Sequence, residues 1–503
     1  MNGIDYINIF IIHKYNSILN FNLTKKKIQM MHQLMQEFTI HPVGQGLFYS
    51  GKILYKNKVK FRMIFDCGSL TSGAGQEEVE NYRDSDFLNE KIIDLLVISH
   101  FDADHVNHIG KLLDGNIKVK RLVMPFLTFE ERLVLVLHQF SDRSVRPEDD
   151  FFIRFAIDPL GTIDENLDGD SEVILIEPSP NNPIDRGPNI NDGFLKLESD
   201  KPEDRFEVIF SEKKEIKSGE DKFIFNSKVK IFKMDDSKKG IVVDRYLQLM
   251  DFLFYRKKTT SDERAFYDEI AKRFYEKYNI DSLLQKYELL SKTIDQIKKI
   301  KSSTEIKKMF RTAKKETGVV GIGLEDLNTT ALSLFHRNLP DILKLGEFPY
   351  RNSDNFFLYS KATVYTIHKF IGSRIETPSL NLSRNWRFRI QEDDFPFIFP
   401  NVLLTSDSFL LKKTDIDPFL KHYENYWDSF WLFQIPHHGS DKNSDGVLHS
   451  HLTSIQSCFI NYGMGNRDNH PSSSIIYNLV ATGNSSKIVP VNQVLGLRFV
   501  LAF

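Results

Sequence analysis

One stretch constrains this chain more than any other. An apolar run over residues 92–98 stops abruptly in His100-Phe101-Asp102-Ala103-Asp104-His105. A short apolar run bounded in this way reads as a buried strand. Four side chains able to bind a metal then fall within six residues at its carboxyl end. On a continuing strand they would alternate between faces, and on a helix they would spread around the axis. In a loop that leaves the strand they can turn about one point. Imidazole with carboxylate suits zinc, manganese or iron, and a pair of such ions suits hydrolysis. A charged loop with helix-capping aspartates is the plainer alternative, so the rest of the chain has to weigh in.

The same pattern recurs. Strand-like runs over 61–65, 399–405, 431–436 and 458–462 end in Asp66-Cys67-Gly68-Ser69, Ser406-Asp407-Ser408, His437-His438-Gly439-Ser440, and a glycine loop leading to His470-Pro471. Further strands are expected at 47–49, 52–55 and 119–126, with helices at 77–90 and 106–113. Strands alternating with helices imply a layered α/β architecture. Open sheets gather their sites outside the carboxyl ends of strands, so one crevice could collect all five endings.

The organisation along the chain is less even. Residues 1–37 read as an appendage, with Lys25-Lys26-Lys27 followed by a helix-like stretch to Phe38. Residues 38–127 carry the first half of the strand pattern and 321–503 the second. Between them, 128–320 reads as a large mixed insertion or lid, with isolated strands at 173–176 and 223–232 and then helices over 261–316. Residues 298–315 hold eight Lys or Arg against the single acid Glu305. Such a stretch is either a solvated helix face or a footprint for an acidic polymer. In the second case Lys298, Lys299, Lys301, Lys307, Lys308 and Arg311 are the candidate nucleic-acid contacts.

Bulk composition excludes little but usefully. The net charge of −2 over 503 residues argues against a protein basic all over. Cys67 and Cys458 are the only cysteines, which rules out a disulfide framework and a cysteine-rich zinc site. No run approaches the roughly 18 apolar residues of a membrane span, and no secretory leader is evident. The expectation is a cytoplasmic protein with no membrane partner.

Taken together, Val43-Gly44-Gln45-Gly46, Phe65-Asp66-Cys67-Gly68-Ser69, Ser99-His100-Phe101-Asp102-Ala103-Asp104-His105, Leu404-Thr405-Ser406-Asp407, Pro436-His437-His438-Gly439-Ser440 and Asn469-His470-Pro471 resemble the metallo-β-lactamase superfamily. Within it they are similar to the ComEC-like branch, in which Asp102 stands where the superfamily commonly has a second histidine. The resemblance covers roughly 38–127 and 321–490. It implies a four-layer αβ/βα sandwich with two divalent metal ions, zinc or manganese, at the edge of its sheets. Carried over, His100 and Asp102 would hold one ion, Asp104 and His105 the other, and Asp407 would bridge them. His437 or His438, with His470, would complete the shells. The separate histidine usual before Asp407 has no motif here, and His138, His336 and His368 are candidates without context.

The roles implied are correspondingly specific. Asp104 would orient the attacking water, and His438, with His437 as the ligand, would protonate the leaving group. Asp66 and Ser440 would support ligands from behind. The leading expectation is a metal-dependent phosphodiesterase or nuclease. The alternatives are a hydrolase of a small ester, lactone or phosphoester, and a hydrolase-fold component of a larger assembly, such as a phage-defence system, that docks a protein partner through the insertion.

Overall fold

The two-residue turn Lys56-Asn57, both with positive φ, joins Phe48–Tyr55 to Lys58–Cys67 in a hairpin, the geometry that matches the twist of paired strands. Around that hairpin the chain builds two large sheets. The computed structural model describes residues 34–71, 73–142, 149–179, 205–216, 229–243, 248–281, 286–300, 302–318, 330–338, 355–360, 370–371, 374–375, 401–427, 432–455, 457–483 and 488–502. Residues 1–33, Lys301 and His368 therefore lie outside the described residues.

In chain order the strands of these sheets begin with β1 (Leu34–Ile40), β2 (Phe48–Tyr55), β3 (Lys58–Cys67), β4 (Leu95–Val97), β5 (Arg121–Pro125), β6 (Glu172–Glu177), β7 (Glu207–Phe210), β8 (Lys214–Glu215) and β9 (Lys230–Asp235). They continue with β10 (Lys239–Val243), β11 (Gln248–Arg256), β12 (Leu332–Asn338), β13 (Asn355–Ser360), β14 (Val402–Leu404), β15 (Leu432–Gln434), β16 (Ser457–Asn461), β17 (Ile488–Val491) and β18 (Leu495–Ala502). A ten-stranded sheet runs β8-β9-β6-β5-β4-β3-β2-β1-β18-β13, and an eight-stranded sheet runs β17-β16-β15-β14-β12-β11-β10-β7. Within the first, β3, β4, β5, β6 and β9 are mutually parallel neighbours; within the second, β14 to β17 are. The fold is thus mixed α/β.

One core cluster draws side chains from both sheets, among them Phe65, Leu95, Val97 and Ile174 with Phe252, Phe254, Leu334, Leu404 and Leu432. The alternate residues of the first sheet, such as Leu96, Leu122 and Val173, pack instead with helices Phe129–Asp142, Ser261–Tyr278 and Ser303–Thr317. Those of the second, such as Leu403, Phe433 and Ile460, pack with Lys413–His422 and Ser473–Ala481. Side chains that alternate across a strand account for both sets of contacts.

Two sequence expectations are corrected here. The helix-like stretch ending at Phe38 is strand β1 from Leu34, paired with β2 on one side and β18 on the other. The stretch 128–320 does not stand apart as an insertion, because β6, β8 and β9 belong to the first sheet and β7, β10 and β11 to the second. Its helical part is as expected. Ser261–Tyr278 opens with a capping box, in which Thr260 Oγ1 accepts from the Glu263 N–H at 3.2 Å and the Glu263 carboxylate accepts from the Thr260 N–H at 2.6 Å. Among the described residues no helix is long and apolar enough to cross a membrane.

Candidate metal centre

Buried strands must stop somewhere, and here several stop at one edge. Asp66 ends β3; Ser99 to His105 follow the adjacent β4; Asp407 follows β14; His438 follows its neighbour β15. The turns are sharp. Asp66, Ser406, His437 and His438 all hold positive φ, between 46° and 55°, a region that residues other than glycine seldom occupy. Gly46 and Gly68 press on the backbone of the metal loop: a Cβ on Gly68 would lie 2.5 Å from the His105 nitrogen, and one on Gly46 would lie 2.6 Å from the Asp104 carbonyl oxygen. No larger residue fits there, so these glycines set how closely the loop is backed.

Among the described residues the side chains meet in three groups, one of which, Asp66 with His100 and His105, is tied by the Asp66–His105 contact, and the other two share Asp407. Asp104, His105, Asp407 and His438 place ligand atoms within 4.8 Å of one another, as do His100, Asp102 and Asp407. Asp407 belongs to both. Its Oδ1 faces His105 Nε2 at 3.2 Å and His438 Nε2 at 3.9 Å. Its Oδ2 faces His100 Nε2 at 3.8 Å and His437 Nε2 at 3.5 Å. Asp102 Oδ2 lies 3.7 Å from His100 Nε2, and Asp104 Oδ2 lies 3.0 Å from His438 Nε2.

What marks this cluster is that several unmet atoms, from both imidazoles and carboxylates, face one another at one place. His100 Nε2, His105 Nε2, Asp102 Oδ1 and Asp407 Oδ1 are all sealed from solvent with no hydrogen-bond partner. Native interiors rarely leave such atoms unpaired without a reason. The far sides of the same imidazoles are anchored. His105 Nδ1 lies 2.8 Å from Asp66 Oδ2, His438 Nδ1 lies 2.8 Å from the Asn461 carbonyl oxygen, and His100 Nδ1 lies 2.9 Å from Ser99 Oγ. An imidazole held by Nδ1–H turns the Nε2 lone pair outward, the arrangement of metal-ligating histidines. The residues present therefore fit divalent cations: imidazole and carboxylate ligand atoms, buried and converging, four of them unsatisfied.

Charges within the cluster act on one another through short distances. Burial pulls the His105 imidazole down, but the Asp407, Asp104 and Asp66 carboxylates outweigh it and hold it well above the ordinary histidine range. His438 is buried too, and Asp407 and Asp104 likewise raise it. Burial pushes Asp407 up, yet His437, His105 and His438 bring it well below the usual carboxylate range. In the metal-free chain, protons on imidazole take the place that a cation would fill.

The other candidates divide. His437 is 24% exposed beside Asp407, and His470 Nδ1 is buried without a hydrogen-bond partner, its ring centroid 5.7 Å from that of His437. Neither joins the two ligand groups, whereas His438, expected to transfer a proton, does. Asp66 Oδ2 lies against His105 Nδ1, and Asp66 also forms a third group with His100 and His105. The Ser440 side chain turns to its own loop, accepting from the Lys442 N–H at 3.3 Å. His336 is buried against the Tyr49 hydroxyl at 2.7 Å and desolvated to a pKa of about 3, and His138 lies on a helix beside Phe310. Neither is among the ligand groups. The basic stretch forms helix Ser303–Thr317, with Ile306, Met309, Phe310 and Ala313 buried and Lys308 and Arg311 exposed; Lys298 pairs with Asp150.

Sequence reasoning missed a supporting set. Gln434 and Asn461 end β15 and β16; Gln434 Oε1 accepts from the Ser406 N–H at 2.8 Å, and its Nε2 donates to Asn461 Oδ1 at 2.9 Å. Asn461 Nδ2 in turn donates to the Gly46 carbonyl at 2.8 Å. A polar residue closing an apolar run is the signal that could have found them. No protein-family model matches the chain, and no curated protein is found to be similar to it.

Proposed function

We propose that this chain is a metal-dependent hydrolase, and within that class a phosphodiesterase acting on nucleic acid. The observation that carries the reading is the convergence of three imidazole Nε2 atoms, from His100, His105 and His438, with the carboxylates of Asp102, Asp104 and Asp407, in two groups that share Asp407. The shared core between two sheets, the helices on their other faces and the cluster at their common edge also support a metallo-β-lactamase αβ/βα sandwich.

Under this reading His100, Asp102 and Asp407 hold one divalent ion, and Asp104, His105, Asp407 and His438 hold a second. When bound, such a pair polarises a phosphoryl oxygen and makes water acidic enough to attack at neutral pH. The remaining work falls to the chain. Asp104 keeps one oxygen toward His438 and is placed to orient the attacking water. His437, half-open beside Asp407, becomes the proton donor to the leaving group, the role that the sequence suggests for His438. Asp102 in place of an imidazole adds charge and hardness, which shifts preference from zinc toward manganese. The Ser303–Thr317 helix offers cations for a polymeric substrate, and the two buried free thiols suit a reducing, cytoplasmic setting.

The test is cleavage of single- and double-stranded DNA and RNA by the full chain with manganese or zinc, beside an Asp104→Ala, His105→Ala control. Metal-dependent cleavage absent from the control is the expected result. A fully metal-loaded wild type inert on all four substrates ends the phosphodiesterase reading.

A further inference from the structure

Beneath the two ligand groups lies one hydroxyl that touches the supports of both. Ser99 is fully buried where β4 gives way to the metal loop. Its Oγ contacts Asp66 Oδ2 at 2.5 Å, His100 Nδ1 at 2.9 Å and Ser406 Oγ at 2.7 Å. A serine hydroxyl has one proton and two lone pairs, so three partners use all of its capacity. Asp66 already accepts from the Ser99 N–H at 2.7 Å and from His105 Nδ1 at 2.8 Å. With donors aimed at both its oxygens, that carboxylate is the acceptor throughout, and the Ser99 proton goes to it. The His100 contact then has to run the other way, from Nδ1–H to the Ser99 oxygen, and so does the contact from the Ser406 hydroxyl.

This fixes the His100 tautomer. With Nδ1 protonated, His100 presents its Nε2 lone pair to Asp102 and Asp407. The same Asp66 that takes the Ser99 proton holds His105 Nδ1–H, so His105 presents Nε2 to the other group. Ser99 therefore reaches a histidine of each group, one directly and one through Asp66. Ser406 closes the floor, with its Oγ 3.4 Å from the Nδ1 of both histidines.

We propose that Ser99 is the positioning residue that couples the two halves of the metal centre, so that removing its hydroxyl weakens both halves together. This rests on the metal-hydrolase reading. It differs from what a ligand would do: loss of Asp102 should weaken only the half that contains His100. Outer partners of ligand histidines typically carry about 10- to 100-fold of metal affinity.

The experiment is a manganese and a cobalt titration of the metal-free full chain, read by bound-metal stoichiometry and by the visible spectrum of cobalt. It compares wild type with Ser99→Ala, Ser99→Thr, Ser406→Ala and Asp102→Ala, with the unfolding transition of each metal-free variant as a folding check. Ser99→Ala should lower affinity at both halves by about 10- to 100-fold and alter both cobalt environments. Ser99→Thr should restore most of that loss. Ser406→Ala leaves the His100–Ser99–Asp66 chain intact, so it should cost less than Ser99→Ala and protects the comparison if the threonine methyl is not accommodated. Wild-type affinity in Ser99→Ala, or weakening of one half only, overturns the coupling. A wild type that binds two ions but cleaves nothing sinks the phosphodiesterase reading and leaves the coupling standing. A wild type that binds no ion overturns both.

Discussion

Strand β4 has a buried carboxylate cluster at each end, and the two ends behave differently. At its start, Asp94 is 2% exposed and accepts from the Arg62 N–H at 2.8 Å and from Arg205 Nε at 2.9 Å, with Arg205 Nη2 on its other oxygen. Arg62 in turn donates to the carbonyls of Ile92 and Asp86, each at 2.8 Å. Past its other end, Asp407 is just as buried, but its Oδ1 has no hydrogen bond, and neither does the His105 Nε2 that faces it at 3.2 Å. Both carboxylates are equally buried, but Asp94 faces two arginines and Asp407 faces histidines. The lesson is that a buried carboxylate whose oxygens are met by protein donors holds the fold, while one with an oxygen left open among imidazoles is set up for something the protein does not itself contain.

The sharpest way to break that comparison is to remove the carboxylate at each end. Asp94→Ala leaves the Arg205 guanidinium with Glu90 alone and strands the Arg62 backbone donor, and breaking a buried pair costs about 3–5 kcal/mol. Denaturant unfolding should show that loss, with metal uptake unchanged when measured on the folded fraction. A shift below about 1 kcal/mol would mean that the network is not holding the sheet. Asp407→Asn removes the charge that raises His105 and His438, but an imidazole can shed its proton where a guanidinium cannot, so it should cost the metal-free fold less than the Asp94 change. Its metal affinity should fall by more than the roughly 100-fold expected from losing an outer partner, and in both halves. Uptake like that of the wild type would show that Asp407 is not shared.

Protonation sharpens the contrast next. His105 and His438 are raised in the metal-free chain by the carboxylates around them. A group raised on folding adds stability below its unfolded value, and that stability fades as pH rises through the folded value. The chelated chain should therefore lose thermal stability as pH climbs from just above 6.5, the ordinary histidine value. Metal binding must displace those protons, so affinity should rise with pH, by about tenfold per unit for each proton released. Melting temperature against pH, with chelator and with excess manganese, measures both, and the two curves should diverge as pH rises. Parallel curves would exclude any displaced proton.

How much of this was legible from residues alone follows from which forces are local. Apolar runs ending in Asp or His declare strand ends without any knowledge of partners, which is why His100, Asp102, Asp104, His105 and Asp407 were found. Strand β1 was not, because Leu34, Met35, Gln36 and Glu37 are good helix formers and their strand state comes from pairing with β18 at the far end of the chain. Within 128–320 the apolar run 173–176 is legible as β6, whereas β7, β8, β10 and β11 are not, because they are separated by charged tracts and defined by neighbours in two different sheets. His437 and His438 are adjacent, and only the consecutive positive φ values decide which ring turns inward. Gln434, Asn461 and Ser406 carry no motif, since a supporting residue is defined by what it touches.

The smallest effects should come from the surface cations. Lys308 and Arg311 are exposed on the Ser303–Thr317 helix and Lys307 is half-buried, opposite an apolar face that packs in the core. Solvated charges contribute little to folding, and alanine is at least as good a helix former, so replacing all three should change stability by no more than about 0.5 kcal/mol at each position. That silence makes the triple variant a clean probe of binding. If these cations meet phosphates, the slope of log affinity against log salt should fall by about one for each cation that had paired with a phosphate. Single-stranded DNA binding by metal-free protein, measured over a range of salt, reads that slope without any cleavage. An unchanged slope would leave the helix as a solvated face. A reduced slope would extend the distinction drawn at the two ends of β4 to the surface, where open valence costs the fold almost nothing and can still be spent on a partner.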